Sequence, residues 1–451
     1  MTVKPTATPL RRTHRAFARL LTASVLSLGA SSWVQAQGLI ELYEAAREYD
    51  ATYLAARSQY DANLAQADQA RAGLLPQAGL SAGIFRSNLD VNGAPNTRDL
   101  DSREVTLSAS QPLYRPSNYA SNEQARLSVD VAQAQLKAAE QELIIRITQA
   151  YFDVLAAQDT VAFVTAQKEA VEQQLAAAKR NFEVGTTTVT DSREAQARFD
   201  LVQAQEIAAE NDLRVKRLAL DQLVGRSSVT PKPLTAPVSL PAVTPADVEA
   251  WVQTALENNT SVQQASKAVE IARLEIDKAK AGHKPTLDLV GQYEYSDAPS
   301  NTSPANVRSK TATVGLQFNL PLFAGFAVQN GVKKALALEA KARADKESAV
   351  RAVSQATRSA YLGVLAGMSQ VKALEAAEAS SQSALDANKL GYQVGVRINI
   401  DVLNAQSQLF QTKRDLAAAR HNVLIGGLRL RQASGTLSPE DLTPIQNLLT
   451  P

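Results

Sequence analysis

Apolar residues recur along this chain with two periods, and the order in which the periods appear is written twice. Over residues 118–183 the period is seven. Leu136, Leu143, Ala150, Ala157, Val164, Val171 and Ala178 form one seam, and Ile147, Val154, Val161, Leu175 and Phe182 lie four residues on from its members. Glu140 and Lys168 interrupt this second seam. Sustained heptads predict a single long helix in coiled-coil packing. About 65 residues at ~1.5 Å each give a rod of roughly 100 Å, too long for any compact domain. A second such helix is predicted over 329–393, and shorter return helices over 191–224 and 401–433. The other period is two. In Val105-Thr106-Leu107-Ser108-Ala109-Ser110 apolar and hydroxyl side chains alternate, and over 312–320 the alternation spans nine residues. Such strands have one apolar and one polar face. The strands are expected at 77–87 with 103–113 and at 286–296 with 310–320. Each pair follows a helix, 39–72 and 245–281, stopped by Gly73 or Gly282 with a Pro three residues on.

The repetition extends to individual residues. The segment ARAGLLP at 70–76 matches AKAGHKP at 279–285, an offset of 209, which also carries Pro112, Leu113 and Tyr114 onto Pro321, Leu322 and Phe323. From Ala150-Tyr151 onto Ala360-Tyr361 the offset is 210, and it persists through Gly185 and Gly395 to Gly225 and Gly435. Chance likeness between Ala-rich helices does not hold one register across Pro and Gly landmarks, so the chain is a duplicated module. The expected divisions are 1–36, a first repeat at 37–226, a Pro-rich linker at 227–246, a second repeat at 247–437 and a tail at 438–451.

Residues 1–36 read as a secretory signal peptide. Lys4, Arg11, Arg12, Arg15 and Arg19 form its basic region, a short apolar run follows, and Val34-Gln35-Ala36 supplies the cleavage pattern. That run is too short for a bilayer-spanning helix, and no later run approaches the length needed. Removing five basic residues from 47 leaves 42 against 45 acidic ones, a mature net charge of −3. So even a balance is wrong for a nucleic-acid binder held by phosphate contacts. Without Cys there is neither a disulfide framework nor a thiolate metal site. His14, His283 and His421 are too scattered to form a metal cluster, and no phosphate-cradling Gly-rich loop occurs. An enzyme, a metal centre and a bound cofactor are therefore not expected. An exported chain without a membrane helix meets a membrane by surface contact or through a closed β-barrel. The alternating strands, the polar loops at 90–102 and 297–309, and the aromatics Tyr114 and Phe323 just past equivalent strand ends favour the barrel. Four strands cannot close a pore alone. Three chains would give twelve.

At 182–191, Phe-Glu-Val-Gly-Thr through Asp191, and at 392–406, YQVGVRINIDVLNAQ, the sequence resembles the TolC family of outer-membrane efflux and secretion ducts. The ending at 428–442, with Gly435-Thr436-Leu437, is similar to that family as well, and the likeness covers nearly the whole mature chain. The resemblance implies a mainly α-helical fold with a transmembrane β-barrel portion. In it, duplicated strand-pair and helical-hairpin modules of a homotrimer form one α/β barrel tunnel in the outer membrane of a Gram-negative bacterium. It implies partners too: a periplasmic adaptor, an inner-membrane transporter and outer-membrane lipid. The family's periplasmic gate carries over to Thr190, Asp191, Tyr392 and Arg397. Asp401 matches one acidic ring of the family's pore constriction, whereas Asn404 stands where the other acid would be. Gly185 and Gly395 mark the hairpin tips, where the family docks its adaptor. The residues themselves allow a plainer role for Asp191, a helix N-cap with Glu194 closing a capping box. Two rival readings are a periplasmic adaptor, which would carry one hairpin rather than two equivalent halves, and a structural coiled coil, which would lack the duplicated strands.

Overall fold

The computed structural model describes residues 37–89, 98–235, 237–299 and 306–450; the export segment and both strand-hairpin tips lie outside the described residues. The first repeat runs α1 (Leu39–Tyr49), α2 (Ala51–Ala72), β1 (Gln77–Leu89), β2 (Arg98–Tyr114), α3 (Pro116–Glu183) and α4 (Val189–Val224). The second runs α5 (Val248–Asn258), α6 (Thr260–Lys280), a 3-10 turn at Ala281–His283, β3 (Thr286–Pro299), β4 (Asn306–Asn319), α7 (Ala327–Gln393) and α8 (Asn399–Ala433). A 3-10 turn at Pro439–Leu442 and the short α9 (Thr443–Gln446) end the chain.

The helices expected at 39–72 and 245–281 are each broken. Asp50 ends α1 and begins α2 in an extended conformation, and Asn259 does the same between α5 and α6. The two breaks are 209 residues apart, the offset of the duplication. A short polar side chain at each caps the new helix: Asp50 accepts from the Tyr53 N–H at 2.8 Å, and Asn259 from the Ser261 N–H at 2.9 Å. Heptad and amphipathic patterns run through both breaks, which is why the pattern alone predicts single helices. Asp50 is buried and takes both nitrogens of the Arg146 fork from α3, at 2.8 and 3.0 Å. Burial pulls its carboxyl up, but Arg146 and the Tyr53 N–H outweigh that and hold it below the ordinary carboxylate range.

Helices α3 and α7 have 68 and 67 residues, so each is a rod of roughly 100 Å. The heptad seam of α3 is its buried face: Leu143, Ala157, Val164, Val171 and Ala178 are all sequestered. Phe182, at the end of the second seam, is exposed. The two charges that interrupt that seam are paired. Glu140 accepts from the Tyr43 hydroxyl at 3.2 Å, and Lys168 meets Glu206 of α4 at 2.6 Å. Helix α3 touches α2, α4, α6 and α8 along its length, so it joins the two repeats.

The main core lies midway along the rods. Leu39, Leu42 and Ala46 of α1, Ile144, Ile147 and Phe152 of α3, Leu220 of α4 and Ile425 and Leu428 of α8 meet there. Leu437, Leu442, Ile445 and Leu449 complete the same cluster, so the tail belongs to the core. The segment between the repeats also packs inward. Val229 is buried, the Gln37 N–H donates to the Thr230 carbonyl, and Leu234 bridges to Leu449. Equivalent tyrosines fasten it. The Tyr151 hydroxyl donates to the Lys232 carbonyl and the Tyr361 hydroxyl to the Ala246 carbonyl, both at 2.8 Å.

The four strands form one antiparallel sheet in the order β1-β2-β3-β4. They are longer than the expected 11 residues, at 13, 17, 14 and 14, because pairing continues through Arg86–Asp99 and Arg308–Asp297 contacts into segments that composition marks as loops. The register aligns like with like. Leu80, Leu107, Tyr293 and Ala312 form one row, and Ser81, Thr106, Glu294 and Thr311 the next. Val314 is 81% exposed and Ile84 80%, so the apolar face is bare in a single chain.

The geometry of the core yields two expected outcomes. Arg146→Ala should cost about 3 kcal/mol by leaving the buried Asp50 carboxylate unpaired. Asn259→Ala, which loses a neutral cap, should cost about 1 kcal/mol. Urea unfolding of the detergent-solubilised protein, followed by circular dichroism, measures both; equal losses would mean that the ion pair does not hold the first break. The second concerns His421 of α8, buried against Phe152 with ring centroids 5.2 Å apart. Burial, reinforced by Arg420, pushes its imidazole down to about 4. It is therefore neutral near pH 7, and its 3.9 Å approach to Asp159 is not a charge pair there. The unfolded chain binds the proton near pH 6.5, so the folded state loses stability as pH falls from about 6.5 towards about 4. Thermal melts across that interval should show a shallower pH slope for His421→Gln than for the native chain.

Candidate functional site

Each long helix ends in the same turn. The Gly185 N–H donates to the Phe182 carbonyl at 2.9 Å and the Thr186 N–H to the Asn181 carbonyl at 2.8 Å. At the second tip the Gly395 N–H donates to the Tyr392 carbonyl at 3.1 Å and the Val396 N–H to the Gly391 carbonyl at 2.9 Å. This paired bonding needs a left-handed residue just past the helix, and both glycines have φ of 76°. A Cβ at either would meet nothing within 4 Å, so conformation rather than space demands glycine there.

The return helices start differently. Thr188 is the N-cap of α4, and its hydroxyl accepts from the Asp191 N–H at 3.3 Å. The Asp191 carboxylate reaches back to the Thr188 N–H at 3.0 Å. Asp191 is thus the closing member of a capping box, three residues inside the helix, and not the N-cap with Glu194 as its partner that spacing suggests. The register of α4 explains this, because the helix begins two residues earlier than expected, at Val189. In α8 the N-cap is Ile398, which offers no side-chain bond. There the first turn is held instead by Asn399, which is buried and accepts a short hydrogen bond from the Gln174 amide of α3.

The expected gate residues gather at this end without bonding to one another inside one chain. Tyr392 accepts from the Asn181 amide of α3 at 3.2 Å. Arg397 lies 3.7 Å from Asp401, one turn further along α8. Thr190 is exposed. Asn404 is also exposed, and its carbonyl oxygen accepts from the Arg198 guanidinium of α4 at 2.9 Å. Asn181, Arg198, Asn399 and Gln174 escaped the sequence reading because each acts across helices, at separations of 206 to 225 residues, where no local spacing points to a partner. The groove between α4 and α8 around Arg198 and Asn404 has a volume of about 430 Å³. Its polar lining also includes Gln167, Gln205, Gln408 and Arg414, and no carboxylate.

An amphipathic sheet on paired rods, with helical tips that concentrate polar groups, defines a membrane channel protein with a helical extension. The family model for outer membrane efflux proteins matches residues 42–226 and 251–436. The chain belongs to that family. It is 34% identical over 428 residues to the outer membrane protein TolC of Vibrio cholerae, covering 94% of this chain and 96% of that one. It is 31% identical to the alkaline protease secretion protein AprF of Pseudomonas aeruginosa, covering 90% and 86%. The crystal structure of the outer membrane protein VceC from Vibrio cholerae superposes with a TM-score of 0.76 at 20% identity, over 88% of this chain and 96% of that one. The fold is the channel-tunnel fold, and the protein resides in the Gram-negative outer membrane.

The tip geometry has a direct test. Gly185→Ala and Gly395→Ala each force a Cβ into left-handed backbone and should cost about 1–2 kcal/mol. Limited proteolysis should then cut the variants faster at the tips than the native chain. Unchanged cleavage would show that the turns do not depend on glycine.

Proposed function

We propose that three copies of this chain assemble into an exit duct for an efflux pump or a type I secretion system, closed at its periplasmic end by the helical tips. The observation that carries this reading is the sheet, with its apolar face bare and its edges β1 and β4 unpaired. An open edge and an exposed apolar face are both costly, and closure of twelve strands into a barrel in lipid removes both costs at once. From Lys310 to Asn319 the strand path rises roughly 30 Å, which is roughly 23 Å at a tilt of ~40°, close to the height of an outer-membrane apolar band. Tyr293 and Tyr295 near one margin and Tyr114 and Phe318 near the other match the two aromatic girdles of such a band. The three-fold arrangement sets the rods side by side as a tunnel through the periplasm, where the tips meet a periplasmic adaptor and, with it, an inner-membrane transporter. The likeness to AprF, an alkaline protease secretion protein, supports the secretion arm. No reaction is catalysed; the chain supplies a path.

Thr190, Asp191, Tyr392 and Arg397 form the gate in this reading. None of the four bonds to another within one chain, so the restraint across the aperture comes from neighbouring copies. Arg397 and Tyr392 carry the donors such contacts need. Asp401 and Asn404 line the constriction, where one ring of acids is thinned by an amide already engaged by Arg198. Arg397→Ser combined with Tyr392→Phe should raise single-channel conductance in planar bilayers. Conductance equal to that of the native protein would show that the aperture is held by other residues. Drug susceptibility and secreted-protein profiles of a deletion strain separate the pump from the secretion system.

A further inference from the structure

The apolar face of the sheet ends abruptly at the margin away from the helices. The last apolar row is Ala82, Val105 and Tyr295, with Lys310 at its edge. In the next row Ile84 is followed by Arg103, Asp297 and Arg308. Beyond them, on the same face, Arg86 is bracketed by Asp99 and Asp101 at 3.2 and 3.8 Å. With two carboxylates around one guanidinium, the β1 side of this margin carries a net charge of −1. On the other side the balance is reversed: Arg103, Arg308 and Lys310 face a single carboxylate, Asp297. That carboxylate is mostly covered; among the described residues it accepts only from the Arg308 Nε, at 3.3 Å, and its second oxygen is buried with no hydrogen-bond partner. Among the described residues, neither Arg103 nor Lys310 has an acidic side chain within ion-pairing distance.

We propose that Arg103, Arg308 and Lys310 form a binding site for the phosphate of an anionic lipid headgroup in the leaflet that surrounds the outer margin of the barrel. The inference rests on the reading of the sheet as a lipid-facing barrel. The occupant follows from continuity and charge. Acyl chains lie against Leu80, Leu107, Val314 and their neighbours, so a headgroup on those chains reaches the level of Lys310 and Tyr295. There it meets a net excess of two positive charges over Asp297. Two guanidinium forks match phosphate oxygens, while the Lys310 ammonium adds a point charge at the apolar boundary, with its stem lying along the lipid. Asp297 holds Arg308 in place through Nε and leaves the rest of its fork for the ligand. A soluble anion would gain the charges but not the adjoining apolar belt, so the lipid is the favoured source of the phosphate.

Native mass spectrometry of the full chain, released from detergent, tests this. Phosphatidic acid and phosphatidylcholine are the probes, and the comparison is between native protein and Arg103→Gln/Arg308→Gln/Lys310→Gln. At ~1 kcal/mol per cation near a charged headgroup, phosphatidic acid adducts should fall at least about tenfold in the triple variant. Phosphatidylcholine adducts should be equal in both. A charge-keeping variant, Arg103→Lys/Arg308→Lys, should retain phosphatidic acid binding. Equal phosphatidic acid binding by the native and triple-variant proteins would overturn the site. Displacement by inorganic phosphate at the same concentration would show a free-anion site instead, and would overturn the assignment to lipid. Single-channel recording on the same samples keeps the two levels apart. Loss of channels in the native protein strikes at the barrel reading, whereas intact channels with unaltered lipid adducts strike only at the headgroup site.

Discussion

A rod of roughly 100 Å has no interior of its own, and the packing of α3 answers that constraint. It runs alongside α2, α4, α6 and α8, and its Ala- and Val-rich seam lets each come close. Burial is therefore spread thinly along a line and concentrated in one place, the cluster around Ile144, Ile147, Tyr151 and Phe152. Ion pairs such as Lys168–Glu206 and Lys216–Asp153 sit beside the seam and fix which helices pair and in what register. The hairpin tips inherit their position from this alignment. From the end of α3, Asn181 reaches Tyr392 in the last turn of α7 and Gln174 reaches Asn399 in the first turn of α8.

Periodic features were legible in the sequence, and relational ones were not. Heptads over 118–183 gave α3 to within two residues, and alternation in 105–110 gave β2 and the sides of its faces. The Gly185 and Gly395 turns followed from local chemistry and were found with left-handed backbone. The breaks at Asp50 and Asn259 were hidden because capping residues within a periodic run look like ordinary polar positions. Asp50 is decided by Arg146, nearly a hundred residues away, and Asn259 also donates to the Ala433 carbonyl at the far end of α8. The role of Asp191 turned on where the helix begins: the N-cap lies at Thr188, three residues before Asp191, which puts Asp191 at the third helical position. The sequence marks 438–451 only as a tail, yet four of its apolar residues lie in or beside the core, since spacing says nothing about where a chain returns.

The sheet shows the same division at another scale. Side-chain alternation fixes which face is apolar, but the level at which that face stops depends on the register among four strands. Arg103, Asp297 and Arg308 are separated by up to 205 residues and become neighbours in one row only through pairing. In the sequence Asp297 and Arg308 look like loop charges, and Arg103 like the first residue of a strand. In the sheet they mark a boundary between two solvents.

The tail has a further consequence for how the molecule is made. Leu39 and Leu42, among the first residues described, share one core with Leu442, Ile445 and Leu449, among the last. The longest-range contacts in the chain therefore close its principal hydrophobic cluster, and neither repeat can complete that cluster by itself. The cluster is complete only once residues 442–449 have returned to the level of α1, so the span from Leu39 to Leu449 is stitched shut by its own two ends.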